Sequence, residues 1–92
     1  MPLREIVESS HFKHDFEMYR QNYPDLEQAY KSIKKRLLDN PAIGVPLKSA
    51  PDFRLYTSEP IADEQGETQG FYVVYDYDLD HIYMHSIRKV DF

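Results

Sequence analysis

The sequence predicts an α+β fold in which two helices cover one face of a small, mostly antiparallel sheet. Two consecutive stretches, 11–23 and 24–39, carry apolar residues at helical spacing. A loop with three prolines follows at 40–52. Three runs rich in aromatic and β-branched residues then predict strands, at 53–57, 71–77 and 82–88. With a short strand before the helices, the predicted order is β-α-α-β-β-β.

The first strand is expected at residues 3–8, which end at a pair of serines. Ser9 or Ser10 then serves as the N-cap of the first helix, because a serine hydroxyl accepts a hydrogen bond from an N–H group left free in the first turn. The aromatic residues of this helix follow one another at steps of 4, 3 and 4, at Phe12, Phe16, Tyr19 and Tyr23. This spacing places their rings on one face.

The second helix repeats this spacing and has the clearest pattern in the chain. Its apolar face comprises Leu26, Tyr30, Ile33 and Leu37. Pro24 ends the first helix and suits the first turn of the second. Asn40 and Pro41 end the second helix. Because almost no loop separates them, the two helices are expected to form an antiparallel hairpin.

The first strand after the proline-rich loop has an alternating pattern. Along it, Phe53 and Leu55 alternate with Arg54 and Tyr56. If the two apolar residues face the helices, the arginine and the tyrosine face the open side of the sheet. An antiparallel sheet can leave that side to solvent or to a partner.

The last two strands follow a long polar connection at 59–70 and are joined by a tight turn at 78–80. The run 71–77 is apolar or aromatic on both faces, as is typical of a central strand. On the last strand, strict alternation places His85 and Arg88 on opposite faces. Only a β-bulge would bring both of them to the open side.

The chain has 92 residues, which suits a single domain spanning residues 1–92 around one small core. It contains no cysteine, which excludes disulfides and thiolate metal sites. Its apolar runs are far shorter than the roughly 20 residues needed to span a bilayer, so we expect no membrane partner. The opening residues carry no signal or leader pattern, so a cytoplasmic location is expected.

The charge of the chain is unevenly distributed. Sixteen acidic and 11 basic residues give a formal net charge of −5, which disfavours bulk binding to nucleic acid. Residues 31–48 nevertheless hold five basic residues and one acidic residue, a local charge of +4. Residues 59–80 hold seven acidic and no basic residues, a local charge of −7. The basic helix surface is either a solvated helix back or a contact surface for ribosomal RNA or an acidic partner.

Two patterns in the sequence have part of what a metal site needs. The acidic run 76–80 is similar to the opening of a calcium loop, but His81 and Ile87 replace the glycine and glutamate that such a loop needs. Two pairs of histidines lie close in sequence, His11 with His14 and His81 with His85. Neither pair has a third ligand at metal-binding spacing. We therefore expect no metal and no cofactor.

Four fragments of the chain occur in an order and spacing typical of one family. They are LLDNPAIGVPLK at 37–48, PDFRL at 51–55, GFYVVY at 70–75 and IYMHSIRK at 82–89. They resemble, in this order, the passage after the helical hairpin, the second and third strands, and the basic closing strand of the RelE/ParE superfamily, the toxins of bacterial and archaeal toxin–antitoxin pairs. The resemblance covers nearly the whole chain and implies the same α+β fold.

The resemblance implies a RelE-like toxin that cleaves mRNA in the ribosomal decoding site without a metal. Such cleavage needs a group that takes the proton of the 2′-OH, positive charge at the phosphate and a proton for the leaving oxygen. On this interpretation Arg54 and Arg88 polarise the phosphate and His85 carries the proton. The residues that would support RNA binding are Lys48, Tyr56, Tyr72 and Lys89. The implied partners are a cognate antitoxin protein, the ribosome and mRNA.

The chain departs from the family pattern in three places. Tyr72 occupies the position of the arginine that contacts phosphate in ribonuclease members, the segment 90–92 offers no terminal His or Tyr, and the connection 59–70 is acidic. Two alternatives therefore stay open: a non-catalytic protein-binding module on the same fold, and a gyrase-directed ParE-like toxin. Ordinary roles also stay open, with His85 a packed or surface histidine, and with Tyr75 and Tyr77 in the core.

Overall fold

The computed structural model describes residues 4–90 and confirms the predicted α+β fold. Helices α1 (Ser10–Asn22) and α2 (Leu26–Asp39) pack on one face of a mixed five-stranded sheet. The strands are β1 (Glu5–Glu8), β2 (Val45–Pro46), β3 (Arg54–Thr57), β4 (Ile61–Ala62), β5 (Thr68–Gln69), β6 (Phe71–Tyr77) and β7 (His81–Lys89). The predicted start of the first strand at residue 3 and the terminal residues 91–92 lie outside the described residues.

The sheet has the order β1-β7-β6-β3-β2, and β4 and β5 form a separate two-stranded ribbon. The strands of the sheet are antiparallel except that β1 runs parallel to β7. The predicted connection at 59–70 therefore contains structure of its own. Ile61 anchors this ribbon in the core, and Gly66 turns the chain at a φ of 84°, a conformation that favours glycine. Within residues 4–90, neither helix combines the length and apolarity needed to cross a bilayer.

Helix α1 begins one residue earlier than predicted, and Ser9 is its N-cap. The Ser9 hydroxyl accepts a hydrogen bond from the Phe12 N–H at 3.0 Å. The predicted aromatic face is confirmed, because Phe12 and Tyr23 are buried and Phe16 and Tyr19 pack against the core.

Helix α2 begins at Leu26, because Pro24 and Asp25 form the turn between the helices. Its predicted apolar face is confirmed: Leu26, Tyr30, Ile33 and Leu37 are all buried. The Tyr30 hydroxyl also donates a hydrogen bond to the Glu8 carboxylate, which ties α2 to β1. Burial and this contact raise the pKa of Tyr30.

The central strand β6 supplies the core with Phe71, Val73 and Tyr75, all fully buried. The Tyr75 hydroxyl donates to the Pro41 carbonyl at 2.6 Å and accepts from the Gly44 N–H at 3.0 Å. A Cβ on Gly44 would lie 2.6 Å from that hydroxyl, so the close approach requires glycine. The predicted core position of Tyr75 is confirmed, and Tyr77 packs at the edge of the core.

The predicted orientation of β3 is wrong. Arg54 lies opposite Tyr75, and Tyr56 lies opposite Val73, so both face the helices. Residues directly opposite one another in an antiparallel pair share a face. Leu55, opposite the half-buried Val74, faces the open side instead.

Both side chains on the covered side of β3 have partners there. Arg54 donates from Nη1 to the carbonyls of Ala42 at 3.0 Å and Gly44 at 2.7 Å. The Tyr56 hydroxyl accepts from Nη1 of Arg36 on α2 at 3.2 Å. The predicted alternation is present, but alternation suits either orientation of the strand, and these polar partners decide which one forms.

Strand β7 contains a β-bulge, the feature needed to bring His85 and Arg88 to the same face. Val74 lies opposite Ser86 and Tyr75 lies opposite Met84, so His85 is an extra residue on β7. The bulge lets Met84 and Ile87, three positions apart, both be fully buried. It thereby reverses the alternation after His85.

Candidate functional site

The candidate site lies on the face of the sheet that points away from the helices, called here the open face. The residues of its centre are Tyr72, Val74 and Asp76 on β6, Tyr83, His85, Ser86 and Arg88 on β7, and Phe53, Leu55 and Thr57 on or beside β3. All of them are at least partly exposed. The bulge is what brings His85 and Arg88 to this face together.

His85 forms the most specific polar contact of the open face. Its Nε2 lies 2.6 Å from Oδ1 of Asp76, and both side chains stay partly exposed, at 40% and 33%. When the carboxylate is the acceptor, Nε2 carries the hydrogen in this contact, and a neutral imidazole then has its lone pair on Nδ1. The imidazole and the Phe53 ring make a T-shaped contact, with ring centroids 5.0 Å apart and planes at 74°. The ring is thus held on two sides and is open to solvent.

Ser9 connects this histidine to the start of α1. Its hydroxyl donates to the His85 carbonyl at 3.0 Å, and its N–H donates to the Met84 carbonyl at 3.0 Å. The same hydroxyl oxygen accepts from the Phe12 N–H as the helix N-cap. One residue therefore begins the helix and fixes the backbone of the bulge.

Arg88 and Tyr72 lie opposite one another on β7 and β6, toward one end of the open face. Arg88 is exposed and Tyr72 is half-buried. Arg88 is the one arginine or lysine among the central open-face residues defined above. An arginine in this position presents five N–H donors to an anionic group.

The opposite end of the open face is a network around the turn between β6 and β7. Asp78 accepts from the N–H groups of Asp80 at 2.8 Å and His81 at 2.7 Å, and from the Tyr83 hydroxyl at 3.1 Å. These hydrogen bonds, the one from Asp80 first, hold the pKa of Asp78 below its ordinary value. Partial burial and the Asp78 contact raise the pKa of Tyr83, and the His81 ring stacks on Tyr83 at a centroid distance of 5.4 Å. The tight turn predicted at 78–80 is therefore present and is closed by hydrogen bonds to the Asp78 carboxylate.

The other predicted site residues lie elsewhere. Arg54 and Tyr56 face the helices. Lys89 lies opposite Phe71 on the covered side, with Nζ 5.9 Å from the Tyr23 ring centroid. Lys48 is exposed in the connection between β2 and β3. Of the seven residues predicted from sequence, the structure brings His85, Arg88 and Tyr72 onto the open face.

The sequence did not predict the site roles of Asp76 and Phe53, and it predicted Ser9 only as a helix cap. Asp76 is two residues from Val74 and four from Tyr72, so strand alternation alone assigns it to their face. The contact between Asp76 and His85 depends on the bulge, which the sequence does not predict. Within residues 4–90, no group of three or more His, Asp or Glu side chains is arranged to hold a metal ion.

Fold and site together define a small α+β protein with a His–Asp pair and an arginine on the exposed face of its sheet. No protein-family model matches the chain, and no curated protein matches it. The motif resemblance and the chemistry of the open face are therefore the features that point to an activity.

Proposed function

We propose that this protein is a RelE-like toxin of a toxin–antitoxin pair, a metal-independent endoribonuclease that cleaves mRNA at the ribosome in the cytoplasm. The open face is the surface that would meet the RNA. The observation that carries the proposal is the His85–Asp76 contact of 2.6 Å, on the same face as Arg88 and Tyr72. These side chains would supply two of the three requirements for cleavage by a 2′-OH, a group that takes its proton and positive charge at the phosphate.

In the proposed reaction His85 is the general base. Asp76 orients the imidazole through Nε2 and stabilises the imidazolium once it forms, so that Nδ1 takes the proton of the 2′-OH. The 2′ oxygen then attacks phosphorus, which forms a 2′,3′-cyclic phosphate and breaks the bond to the 5′ oxygen. Solvent protonates that leaving oxygen. A positioned base of this kind contributes about 10²–10⁴-fold to a rate.

Arg88 is the proposed phosphate-binding residue. Charge builds up on the non-bridging oxygens during the attack, and a guanidinium placed there stabilises that charge. Tyr72 lies opposite Arg88 and would stack on a base or donate a hydrogen bond from its hydroxyl. Arg54 takes no part, because its guanidinium is engaged with two loop carbonyls on the covered side.

A second candidate function is favoured by the charge of the same face. The central residues carry one arginine and one aspartate, and they include two half-buried apolar residues, Leu55 on β3 and Val74 on β6, which lie opposite one another. A face with little net charge and an apolar centre suits a protein partner as well as an RNA. This is the non-catalytic binding module, or the gyrase-directed toxin, on the same fold.

The experiment is induced expression in a bacterial host, with growth followed and transcript 5′ ends mapped. The proposal expects the wild-type chain to slow growth and to produce new 5′-hydroxyl ends. His85→Ala should reduce cutting by about 10²-fold or more. His14→Ala is the matched control, because His14 is an exposed histidine on α1, away from the open face.

The outcomes separate the candidates. Loss of cutting with His85→Ala and Arg88→Ala but not with His14→Ala supports the ribonuclease. Growth arrest that persists in both variants, with inhibition of DNA supercoiling by purified gyrase, supports the gyrase-directed toxin and contradicts the ribonuclease. A wild-type chain that neither slows growth nor cuts transcripts leaves the binding module as the better description.

A further inference from the structure

A groove with a basic rim lies between the edge strand β1 and helix α2, on the side of the molecule away from the open face. It has a volume of about 580 Å³, and it is lined by Arg4, Ile6, Lys31, Lys34, Lys35, Leu38 and Asp39. Ile6 and Leu38, both packed against the core, form an apolar floor. The rim carries four basic residues and one acidic residue, so the groove suits an apolar group flanked by negative charge.

The turn between β6 and β7 offers a group of that chemistry. At its tip Leu79 is 87% exposed, the most exposed of the large hydrophobic residues within residues 4–90. Asp78 and Asp80 flank it on either side. A leucine held out in solvent between two aspartates contributes nothing to the core of its own chain.

The groove and the turn are neighbours on one molecule. Arg4, which lines the groove, donates from Nε to the Asp78 carbonyl at 2.6 Å, and the Glu5 N–H donates to the Asp80 carbonyl at 2.9 Å. The turn is also closed by a hydrogen bond from the Asp78 N–H to the His81 carbonyl at 3.0 Å. These bonds fix the turn to its strands, so Leu79 does not fold back into the groove of its own chain.

We propose that the occupant of this groove is the β6–β7 turn of a second copy of the chain. A two-fold axis beside Arg4 would place each Leu79 on the partner's Ile6 and Leu38 and each Asp80 near the partner's lysine rim. In an isologous dimer each chain contributes the same surface patch, so the turn and the groove must adjoin one another on the same molecule, as they do here. One turn and one groove per chain make a small contact, and contacts below about 1,200 Å² are typical of weak, reversible association.

The test is sedimentation equilibrium of the full chain over roughly 10 μM to 1 mM, the range of weak interfaces. The apparent mass should rise from 11.0 kDa towards twice that value. Leu79→Ser and Lys35→Glu should each weaken the association about tenfold or more, equivalent to at least about 1.4 kcal/mol. The matched controls are Met18→Ser, which replaces an exposed apolar residue on α1, and Lys13→Glu, which replaces an exposed lysine on the same helix.

The contribution of charge has its own test. Raising the salt to about 0.5 M should weaken the dimer, because contacts between exposed charges are screened. In methyl NMR spectra, dilution should shift the signals of Leu79, Ile6 and Leu38 together and leave Met18 unchanged.

Three results would overturn the proposal. They are a chain that stays monomeric throughout the concentration range, an association that survives Leu79→Ser, and equal weakening by the control variants. Binding of an Asp-Leu-Asp peptide to the groove of a chain that stays monomeric would assign the groove to another protein.

Discussion

The two faces of the sheet use the same residue types for opposite purposes. On the covered face, Arg54 is bonded to two loop carbonyls, and Tyr75 is buried with both sides of its hydroxyl occupied. On the open face, Arg88 is exposed and Tyr72 is half-buried. Residue type alone therefore does not identify a site residue in this fold. A site residue is identified by the face on which it lies and by the partners that its side chain already has.

The largest expected difference between the faces is in stability. Tyr75→Ala should lower the free energy of unfolding by about 3–5 kcal/mol, because it leaves a large cavity and removes the anchor of the loop at Pro41 and Gly44. Tyr72→Ala should cost less than about 1.5 kcal/mol, since the side chain keeps water contact. Denaturant unfolding of both variants checks this, and equal losses would contradict the division into two faces.

The two arginines provide the next comparison. Arg54→Ala should destabilise the fold by about 1–3 kcal/mol, because the hydrogen bonds from its charged group to two carbonyls are lost. Arg88→Ala should change stability by less than about 0.5 kcal/mol, as exposed substitutions usually do. Thermal unfolding measures both. If Arg88→Ala were the more damaging change, Arg88 would be a structural residue and not a free phosphate ligand.

Ser9 contacts both helix α1 and the bulge at His85. Substituting it should therefore have a smaller effect on stability and a separate effect on the position of the His85 ring. Ser9→Ala should cost about 0.5–2 kcal/mol through loss of the helix cap. Ser9→Asp keeps a cap acceptor but has no hydrogen for the His85 carbonyl, whereas Ser9→Thr keeps both contacts. The ring protons of His85, which feel the Phe53 ring, should therefore shift in the Asp variant and not in the Thr variant. Unchanged shifts in Ser9→Asp would mean that the bulge holds His85 without Ser9.

The smallest effect is the pH dependence from Asp78. Its pKa is lowered in the folded protein, so its contribution to stability is present above the unfolded pKa of about 3.9 and is lost as the pH falls through the folded value. Asp78→Asn should therefore flatten the acid limb of a plot of Tm against pH, with the change confined to pH values below about 4. The matched variant Asp80→Asn should leave that limb in place. An acid limb that is the same in all three proteins would contradict the turn network.

The sequence predicted the helices, the central strand and the covered core because each depends on local periodicity. The steps of 4, 3 and 4 in both helices correspond to the buried faces, and β6 has the predicted bounds, Phe71–Tyr77. The orientation of β3 was not predictable in this way, because Phe53 and Leu55 are as able to cover an open face as to fill a core. Partners distant in sequence decide it: the carbonyls of Ala42 and Gly44, and Arg36.

Only part of the candidate site was predictable, because it also depends on partners distant in sequence. His85, Arg88 and Tyr72 were identified from the motif resemblance, but their common face depends on a bulge that Ser9 stabilises from the other end of the chain. Asp76 and His85 are nine residues apart on neighbouring strands, so their contact follows from the register of β6 and β7 and not from spacing. Tertiary hydrogen bonds therefore complete a site that alternation alone would have divided between two faces.

The most direct test is the rate at which the purified chain cleaves mRNA bound to ribosomes, compared between wild type, His85→Ala and His14→Ala. The open-face proposal predicts cleavage by wild type and His14→Ala at similar rates, and a loss of about 10²–10⁴-fold in folded His85→Ala. Cleavage by His85→Ala at the wild-type rate, or no cleavage by a folded wild-type chain, would contradict it.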